Sequence, residues 1–167
     1  MFGYGSLMWR PGFPYLERRP ATLHGRRRAF CIYSVHHRGT HERRGLVLGL
    51  AAGGATRGMA YRVADAAWEE TYAYLRDREQ PTETYVEARV RVRLAGGARI
   101  EALTFLSDRT HPQWAGPLSL QRQAELISGA TGLSGRNVDY LADLVAHLRE
   151  MGIRDRAMET LLGMVER

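Results

Sequence analysis

Strand-like patterns fill most of the first two-thirds of this chain and helical patterns fill its last third, with the change near Asp108. Residues 84–94 alternate between apolar and charged side chains, as a half-buried strand does. A turn at Gly96 and Gly97 joins this segment to a second one over residues 99–106, which predicts a β-hairpin. Further strands are predicted over the apolar and β-branched segments 2–4, 29–35, 45–51 and 58–63, the last two separated by a turn at Gly53 and Gly54.

Helical periodicity appears once among the strands and three times after them. Asp65 is a suitable N-cap for a helix from residue 66 to about residue 78, which places Glu79 at the C-terminal end of that helix. Strands with one inserted helix, followed by a run of helices, predict an α+β domain. The length of 167 residues and the absence of a Pro/Gly/Ser-rich linker predict one domain over residues 1–167. The later helices are predicted to begin at Ser119, at Ser134 or Asn137, and at Asp155, and to end near residues 129, 151 and 165.

Cysteine usage and hydropathy indicate the compartment. Cys31 is the single cysteine, so the chain cannot form an internal disulfide, and a reducing environment fits. No apolar run approaches the roughly 18 residues that a membrane helix needs. The sequence therefore predicts a cytoplasmic protein that does not enter a membrane. Cys31 lies in an apolar segment with no evident activating neighbour, so we expect a core residue rather than a nucleophile.

A formal net charge of +6 and an isoelectric point near 10.0 raise the question of nucleic-acid binding. The basic residues are dispersed, however, and the arginines at positions 26–28 and 43–44 lack the interleaved aromatic side chains of a single-strand platform. An anionic small molecule would benefit from the same positive field. We therefore expect a small-molecule substrate and no nucleic-acid partner.

A turn with two glycines and a serine, Gly3-Tyr4-Gly5-Ser6, directly follows the first predicted strand. Glycine permits positive φ values, so successive N–H groups of such a turn can converge on an anion such as a carboxylate. A purely structural tight turn is the alternative. The third glycine of a dinucleotide-binding fingerprint and the Gly-Lys-Ser/Thr ending of a P-loop are both missing.

This turn and later segments together resemble the ChaC-like family, in family order and along nearly the whole chain. Residues 4–7 match its Y-G-S-L signature, and residues 135–141 are similar to its G-x-N-x-x-Y-L segment. One departure is His36, which stands where the family usually has aspartate. The other matching segments are 24–30 (H-G-x-x-R-x-F), 34–40 (S-x-D-H-R-G-T), 45–50 (G-L-V-L-x-L), 57–63 and 75–79.

The resemblance implies a γ-glutamylcyclotransferase that degrades glutathione to 5-oxoproline and cysteinylglycine, with no metal or organic cofactor. It also implies a mixed β-barrel with flanking helices and a helical C-terminal third, although periodicity alone does not tell whether the strands close. Two alternatives stay open: a cyclotransferase for other γ-glutamyl peptides or amines, and an inactive module that binds γ-glutamyl compounds.

Glu79 is the predicted catalytic residue, because it matches the glutamate of the family's Arg-Glu motif. Cyclisation needs a base for the protonated α-amine of the γ-glutamyl group and an acid for the departing amine, and one carboxylate can serve as both. A desolvated position at the helix end would raise the pKa of this carboxyl toward the working range. A solvated Glu79 is the alternative, and a shift in register would transfer the role to Glu83. Glu87 is expected to be solvated on the charged face of its strand.

The resemblance assigns substrate binding to Tyr4, Gly5, Ser6 and Leu7, whose N–H groups would hold the α-carboxylate or the developing oxyanion. We do not expect Ser6 to be a nucleophile, because the substrate supplies its own. Arg38 is a candidate for a bidentate contact with a substrate carboxylate, or else a solvated arginine. Tyr140 is either a hydroxyl donor to the site or a buried structural residue. Three histidines, His36, His37 and His41, lack the complete ligand set and second shell of a zinc site, so no metal is expected.

Overall fold

The structure, a computed structural model, describes residues 1–79 and 84–166. A short strand and one turn of 3₁₀-helix at Ser6–Met8 begin the chain. The strands are β1 (Phe2–Gly3), β2 (Glu17–Ser34), β3 (Gly45–Arg62), β4 (Tyr85–Leu94), β5 (Arg99–Ser107), β6 (Thr131–Gly132) and β7 (Gly135–Arg136). The helices are α1 (Asp65–Glu79), α2 (Leu120–Ser128), α3 (Asn137–Glu150) and α4 (Arg156–Val165). This order confirms the predicted α+β class and the helical C-terminal third. None of the helices described is long and apolar enough to cross a membrane.

The chain is organised as two compact units. The first consists of Met1–Arg27 and Ala52–His111, and the second consists of Arg28–Ala51 and Pro112–Arg167. The long strands β2 and β3 each contribute residues to both units. The expectation of one domain over residues 1–167 stays a prediction.

Five strands form one antiparallel sheet in the order β1-β3-β2-β4-β5. The predicted hairpin is confirmed, since β4 and β5 pair from Tyr85 opposite Ser107 to Arg93 opposite Arg99. Within the described residues the sheet is open, with β1 and β5 at its edges, so the expected barrel is not closed by backbone pairing. Side chains join the two edges instead. Tyr4 Oη donates to the carbonyl of Phe105 at 2.7 Å, and Thr104 Oγ1 donates to the carbonyl of Phe2 at 2.9 Å.

The turn expected at Gly53 and Gly54 does not form, because β3 runs through both residues as one strand. Both have positive φ, 86° and 71°, which glycine adopts without steric cost. The pair therefore departs locally from extended strand geometry without ending the strand. A Cβ added to Gly54 would lie 3.3 Å from Cβ of Arg27, so these glycines also allow a close approach to β2.

Strand β2 begins at Glu17, well before the predicted start at residue 29. The early part of the strand carries many charged side chains, so its sequence does not show the apolar alternation that predicts a strand. Ala21 and Leu23 are nevertheless buried there and pair with Leu94 and Val92 of β4. Burial of alternate residues in a charged strand is the signature of a sheet with one solvated face.

The C-terminal helices begin where local signals place them. Ser119 Oγ accepts from the N–H of Arg122 at 3.2 Å, and Asp155 Oδ1 accepts from the N–H of Met158 at 3.3 Å, so both predicted N-caps are confirmed. Helix α3 begins at Asn137 rather than at Ser134. The apolar sides of these helices form the core of the second unit, which includes Ile127, Leu141, Leu144, Leu148, Met158 and Leu161.

Candidate active site

Glu79 is the last residue of α1, on the buried side of that helix. Thr71 and Leu75 precede it at intervals of four residues, which keeps the three on one helix face. They are 1% and 0% exposed, and the Glu79 side chain keeps 20% of its surface accessible. Burial raises the pKa of the Glu79 carboxyl above its usual range, and the nearby positive charge of Arg78 opposes that rise without cancelling it. The alternative of a solvated Glu79 does not fit this environment.

The Tyr61 hydroxyl anchors the C-terminal end of the turn of residues 4–7. Tyr61 Oη lies 2.9 Å from the carbonyl oxygens of Leu7 and Met8 and donates its hydrogen to this pair. Burial raises the pKa of Tyr61 to about 12, so the hydroxyl keeps its hydrogen at neutral pH. Tyr4 and Leu7 are buried, whereas Ser6 is exposed.

Glycine serves this turn through close approach rather than through positive φ at Gly5. The φ of Gly5 is −125°, so the expected left-handed conformation is absent at that residue. A Cβ added to Gly3 would lie 2.9 Å from Cβ of Leu7, a distance that real Cβ atoms essentially never show. Inside the turn, the N–H of Met8 donates to the carbonyl of Gly5 at 2.9 Å. The leading N–H groups of a helical turn have no acceptor within it.

Arg78 connects the end of α1 to the turn of residues 4–7, a role that the family motifs did not indicate. Its Nη2 donates to Ser6 Oγ at 2.9 Å, and its Nη1 donates to the carbonyl of Arg10 at 2.5 Å. Its Nε lies 3.3 Å from Glu79 Oε1. The sequence signal was available, since Arg78 directly precedes Glu79 in the Arg-Glu motif, but nothing local indicates a partner 72 positions away. In the first unit, Arg78 thus links Glu79 and the turn, through an ion pair to the former and a hydrogen bond to the latter.

Glu87 is partly buried, contrary to the expectation that it would be solvated. Tyr72 Oη lies 2.9 Å from both of its carboxylate oxygens and can donate to either. The Glu87 side chain is 29% exposed, and Arg76 Nε lies 3.9 Å from Glu87 Oε1. Glu83, the candidate for a register shift, lies outside the described residues.

Arg38 and Tyr140 lie in the second unit, where they contact each other. The guanidinium carbon of Arg38 is 5.2 Å from the centroid of the Tyr140 ring, a cation–π distance. Arg38 Nη1 donates to the carbonyl of Arg136 at 3.1 Å. The Tyr140 ring also packs edge-on against Phe30, with the centroids 5.7 Å apart. Neither side chain is a freely solvated one, and their role toward a substrate stays a prediction.

Asn137, which the sequence marked as a possible helix start and as part of a family motif, has a structural role. It is fully buried, and its side-chain amide bonds both the N–H and the carbonyl of Leu46, at 2.6 and 2.8 Å. A Cβ on Gly45 would lie 2.6 Å from Asn137 Oδ1, so glycine is needed beside it. This pair of hydrogen bonds joins the start of α3 to the start of β3.

The histidine segment and Cys31 take ordinary structural surroundings. The rings of His36 and His41 pack edge-on at 5.8 Å, and His37 Nδ1 lies 2.9 Å from Ser134 Oγ. Among the residues described, no group of three or more His, Cys, Asp or Glu side chains is placed to hold a metal. Cys31 is fully buried, which confirms its assignment to the core.

Comparison with known proteins agrees with the motifs. The family model of ChaC-like proteins matches residues 1–167. The chain is 36% identical over its whole length to a glutathione-specific γ-glutamylcyclotransferase of Escherichia coli, covering 72% of that protein. It is 32% identical over 153 residues to glutathione-specific γ-glutamylcyclotransferase 1 of Danio rerio, which covers 89% of this chain and 78% of the relative.

A solved structure has the same fold. The crystal structure of a γ-glutamylcyclotransferase specific to glutathione from yeast superposes with a TM-score of 0.88 at 25% sequence identity, over 99% of this chain and 94% of the yeast chain. The agreement of motifs, sequence relatives and fold shows that this chain belongs to the ChaC-like family.

Proposed function

We propose that this protein is a γ-glutamylcyclotransferase that degrades glutathione to 5-oxoproline and cysteinylglycine. The observation that carries the proposal is the match, over the whole of this chain and 72% of the relative, to a protein named for this activity, at 36% identity. The burial of Glu79 at the end of α1 adds physical support, because it raises the pKa of this carboxyl toward the range in which one group can both accept and return a proton.

In the proposed reaction the substrate attacks itself. The α-amine nitrogen of the γ-glutamyl group forms a bond to its own side-chain carbonyl carbon, and the bond from that carbon to the cysteine nitrogen breaks. Two protons leave the α-ammonium as it becomes the lactam N–H, and the departing nitrogen gains two as it becomes an ammonium. Glu79 can carry them one at a time and ends deprotonated, as it began. The reaction consumes no water and no co-reactant.

The turn of residues 4–7 is the proposed holder of the γ-glutamyl group. Its leading N–H groups are the proposed donors to an anion, either the α-carboxylate or the oxygen that gains charge as the ring closes. Tyr4 and Leu7 are buried supports of the turn, while Gly5 and the exposed Ser6 form its accessible part. We include Arg38 and Tyr140 as substrate-binding residues on the strength of the family motifs alone. A cytoplasmic location is likewise part of the proposal.

The test is an assay of purified protein with glutathione and, separately, with γ-glutamylalanine, following 5-oxoproline. We expect release from glutathione and little from γ-glutamylalanine. The reverse preference would show a cyclotransferase for other γ-glutamyl peptides. Binding of glutathione without 5-oxoproline release would show an inactive binding module and would contradict the proposal.

A further inference from the structure

Three hydrogen bonds from Arg78 hold one segment of the first unit against the end of α1. Nη2 donates to Ser6 Oγ at 2.9 Å. Nη1 donates to the carbonyls of Arg10 and Pro11 at 2.5 and 3.1 Å, and lies 2.9 Å from Tyr74 Oη. The Arg78 side chain itself is 19% exposed, whereas Ser6, the acceptor for Nη2, lies at the surface.

The same segment is shaped to approach α1 closely. Gly12 has a φ of 75°, which glycine adopts readily, and a Cβ there would lie 2.0 Å from Tyr74 Oη. Both the backbone conformation and the lack of space therefore require glycine at this position. Phe13 then packs edge-on against the Tyr74 ring, with centroids 6.5 Å apart. Close packing and the Arg78 hydrogen bonds therefore act on the same stretch of backbone, from Ser6 to Phe13.

We propose that Arg78 is a positioning residue for the cyclotransferase reaction, which holds the substrate-binding turn and the Glu79 carboxylate at one fixed separation. The guanidinium suits this task because its five N–H donors lie in a rigid plane, so one group spans several acceptors with set geometry. The inference rests on the proposed function, since positioning has meaning only if the turn and Glu79 serve one reaction.

Arg78 also affects the protonation of Glu79. Of the charged groups described, Arg78 is the one whose field acts on this carboxyl, and it lowers the pKa that burial raises. Tyr61 also feels the field of Arg78, but its pKa of about 12 keeps it neutral across the working range. Removal of the positive charge leaves burial unopposed, so the pKa of Glu79 rises further. The deprotonated form needed as a base is then reached only at higher pH.

The experiment measures kcat and KM for glutathione against pH in Arg78→Met, Arg78→Lys and Arg76→Met. Arg76 is the matched control, because it lies on the same last turn of α1, is 58% exposed and contacts Glu87 rather than the turn. We expect Arg78→Met to lower kcat/KM at neutral pH by about 10- to 100-fold, as small misplacements of reacting groups do. It should also move the acidic midpoint of the kcat profile to higher pH. Arg76→Met should match the wild type.

Arg78→Lys separates the two effects. It keeps the charge beside Glu79, so the acidic midpoint should stay near that of the wild type, but one ammonium cannot reproduce the planar set of donors and KM should rise. A carbon-13 NMR titration of the Glu79 carboxyl, identified by its absence in Glu79→Gln, checks the pKa change without relying on activity.

The outcomes distinguish the two proposals. Wild-type protein that releases no 5-oxoproline overturns the proposed function and this inference with it. Active wild type together with an Arg78→Met variant that keeps kcat/KM and the acidic midpoint overturns the inference alone. If Arg78→Met does not fold, an unchanged KM in Arg78→Lys overturns it.

Discussion

The C-terminal end of α1 and the N-terminal end of α3 both carry polar residues of the ChaC-like motifs, but their surroundings differ. At the end of α1, burial raises the pKa of the Glu79 carboxyl, and the adjacent Arg78 donates a hydrogen bond to the exposed Ser6. At the start of α3, the Asn137 side chain is fully buried and bonded twice to the backbone of β3. The first arrangement leaves a group free to change protonation, whereas the second leaves none. We therefore expect the environment of a motif residue to separate those with a chemical role from those with a structural one.

The largest effect is expected from Glu79→Gln, which keeps the shape and removes the titratable group. We predict a fall in kcat of about 10²- to 10⁴-fold, the usual contribution of general acid–base catalysis. The measurement is 5-oxoproline release, with Glu87→Gln and Glu83→Gln as matched controls that should retain activity. Retained activity in Glu79→Gln, or its loss in Glu83→Gln, would move the role to another carboxylate.

Asn137→Ala should affect stability instead of chemistry. The change leaves the N–H and the carbonyl of Leu46 buried without these partners, at a cost of about 3 kcal/mol in the free energy of unfolding. Urea unfolding measures this, and kcat/KM of the folded fraction should change little. The exposed pair of Ser134 and His37 offers the control, because Ser134→Ala should stay within about 0.5 kcal/mol. A loss of activity without a loss of stability would contradict the structural role.

Arg38→Met tests whether Arg38, in the second unit, binds substrate or has a structural role like that of Asn137. If Arg38 holds a substrate carboxylate, as the family motifs predict, KM should rise about tenfold, the effect of losing a charge-assisted hydrogen bond, while kcat changes little. Tyr140→Phe is the companion variant, since it keeps the ring that faces both Arg38 and Phe30. An unchanged KM in Arg38→Met, with reduced stability, would place Arg38 with Asn137 among the structural residues.

The smallest effect concerns the stability of Glu79→Gln. A carboxyl whose pKa is higher in the folded state binds its proton more tightly there, so stability falls as pH rises from the unfolded value near 4.5 through the raised folded value. Glutamine does not ionise, so the variant should be more stable than wild type at neutral pH by on the order of 1 kcal/mol, as at other functional sites. The gain should vanish below the unfolded pKa. Thermal melts at neutral and acidic pH test this, and a variant less stable at neutral pH would contradict it.

Local signals identified most elements of the fold. The caps Ser119 and Asp155 and the Gly96–Gly97 hairpin were predictable because each depends on neighbours within a few residues. The turn predicted at Gly53 and Gly54 was wrong because a glycine pair permits both a chain reversal and a local distortion within one strand, and only the neighbouring strand decides between them. The early part of β2 was missed for a similar reason, since its buried residues stand between charged ones.

By itself, the sequence determined the α+β class, the positions of the helices and, through ordered motifs, the family and its candidate glutamate. Tertiary structure decided which carboxylates are shielded and what they contact. Glu79 and Glu87 are both glutamates near charged neighbours, yet one is desolvated at a helix end and the other accepts from a tyrosine. The link from Arg78 to Ser6 crosses 72 positions of the chain. Contacts of that range depend on how strands and helices pack, which no local pattern encodes.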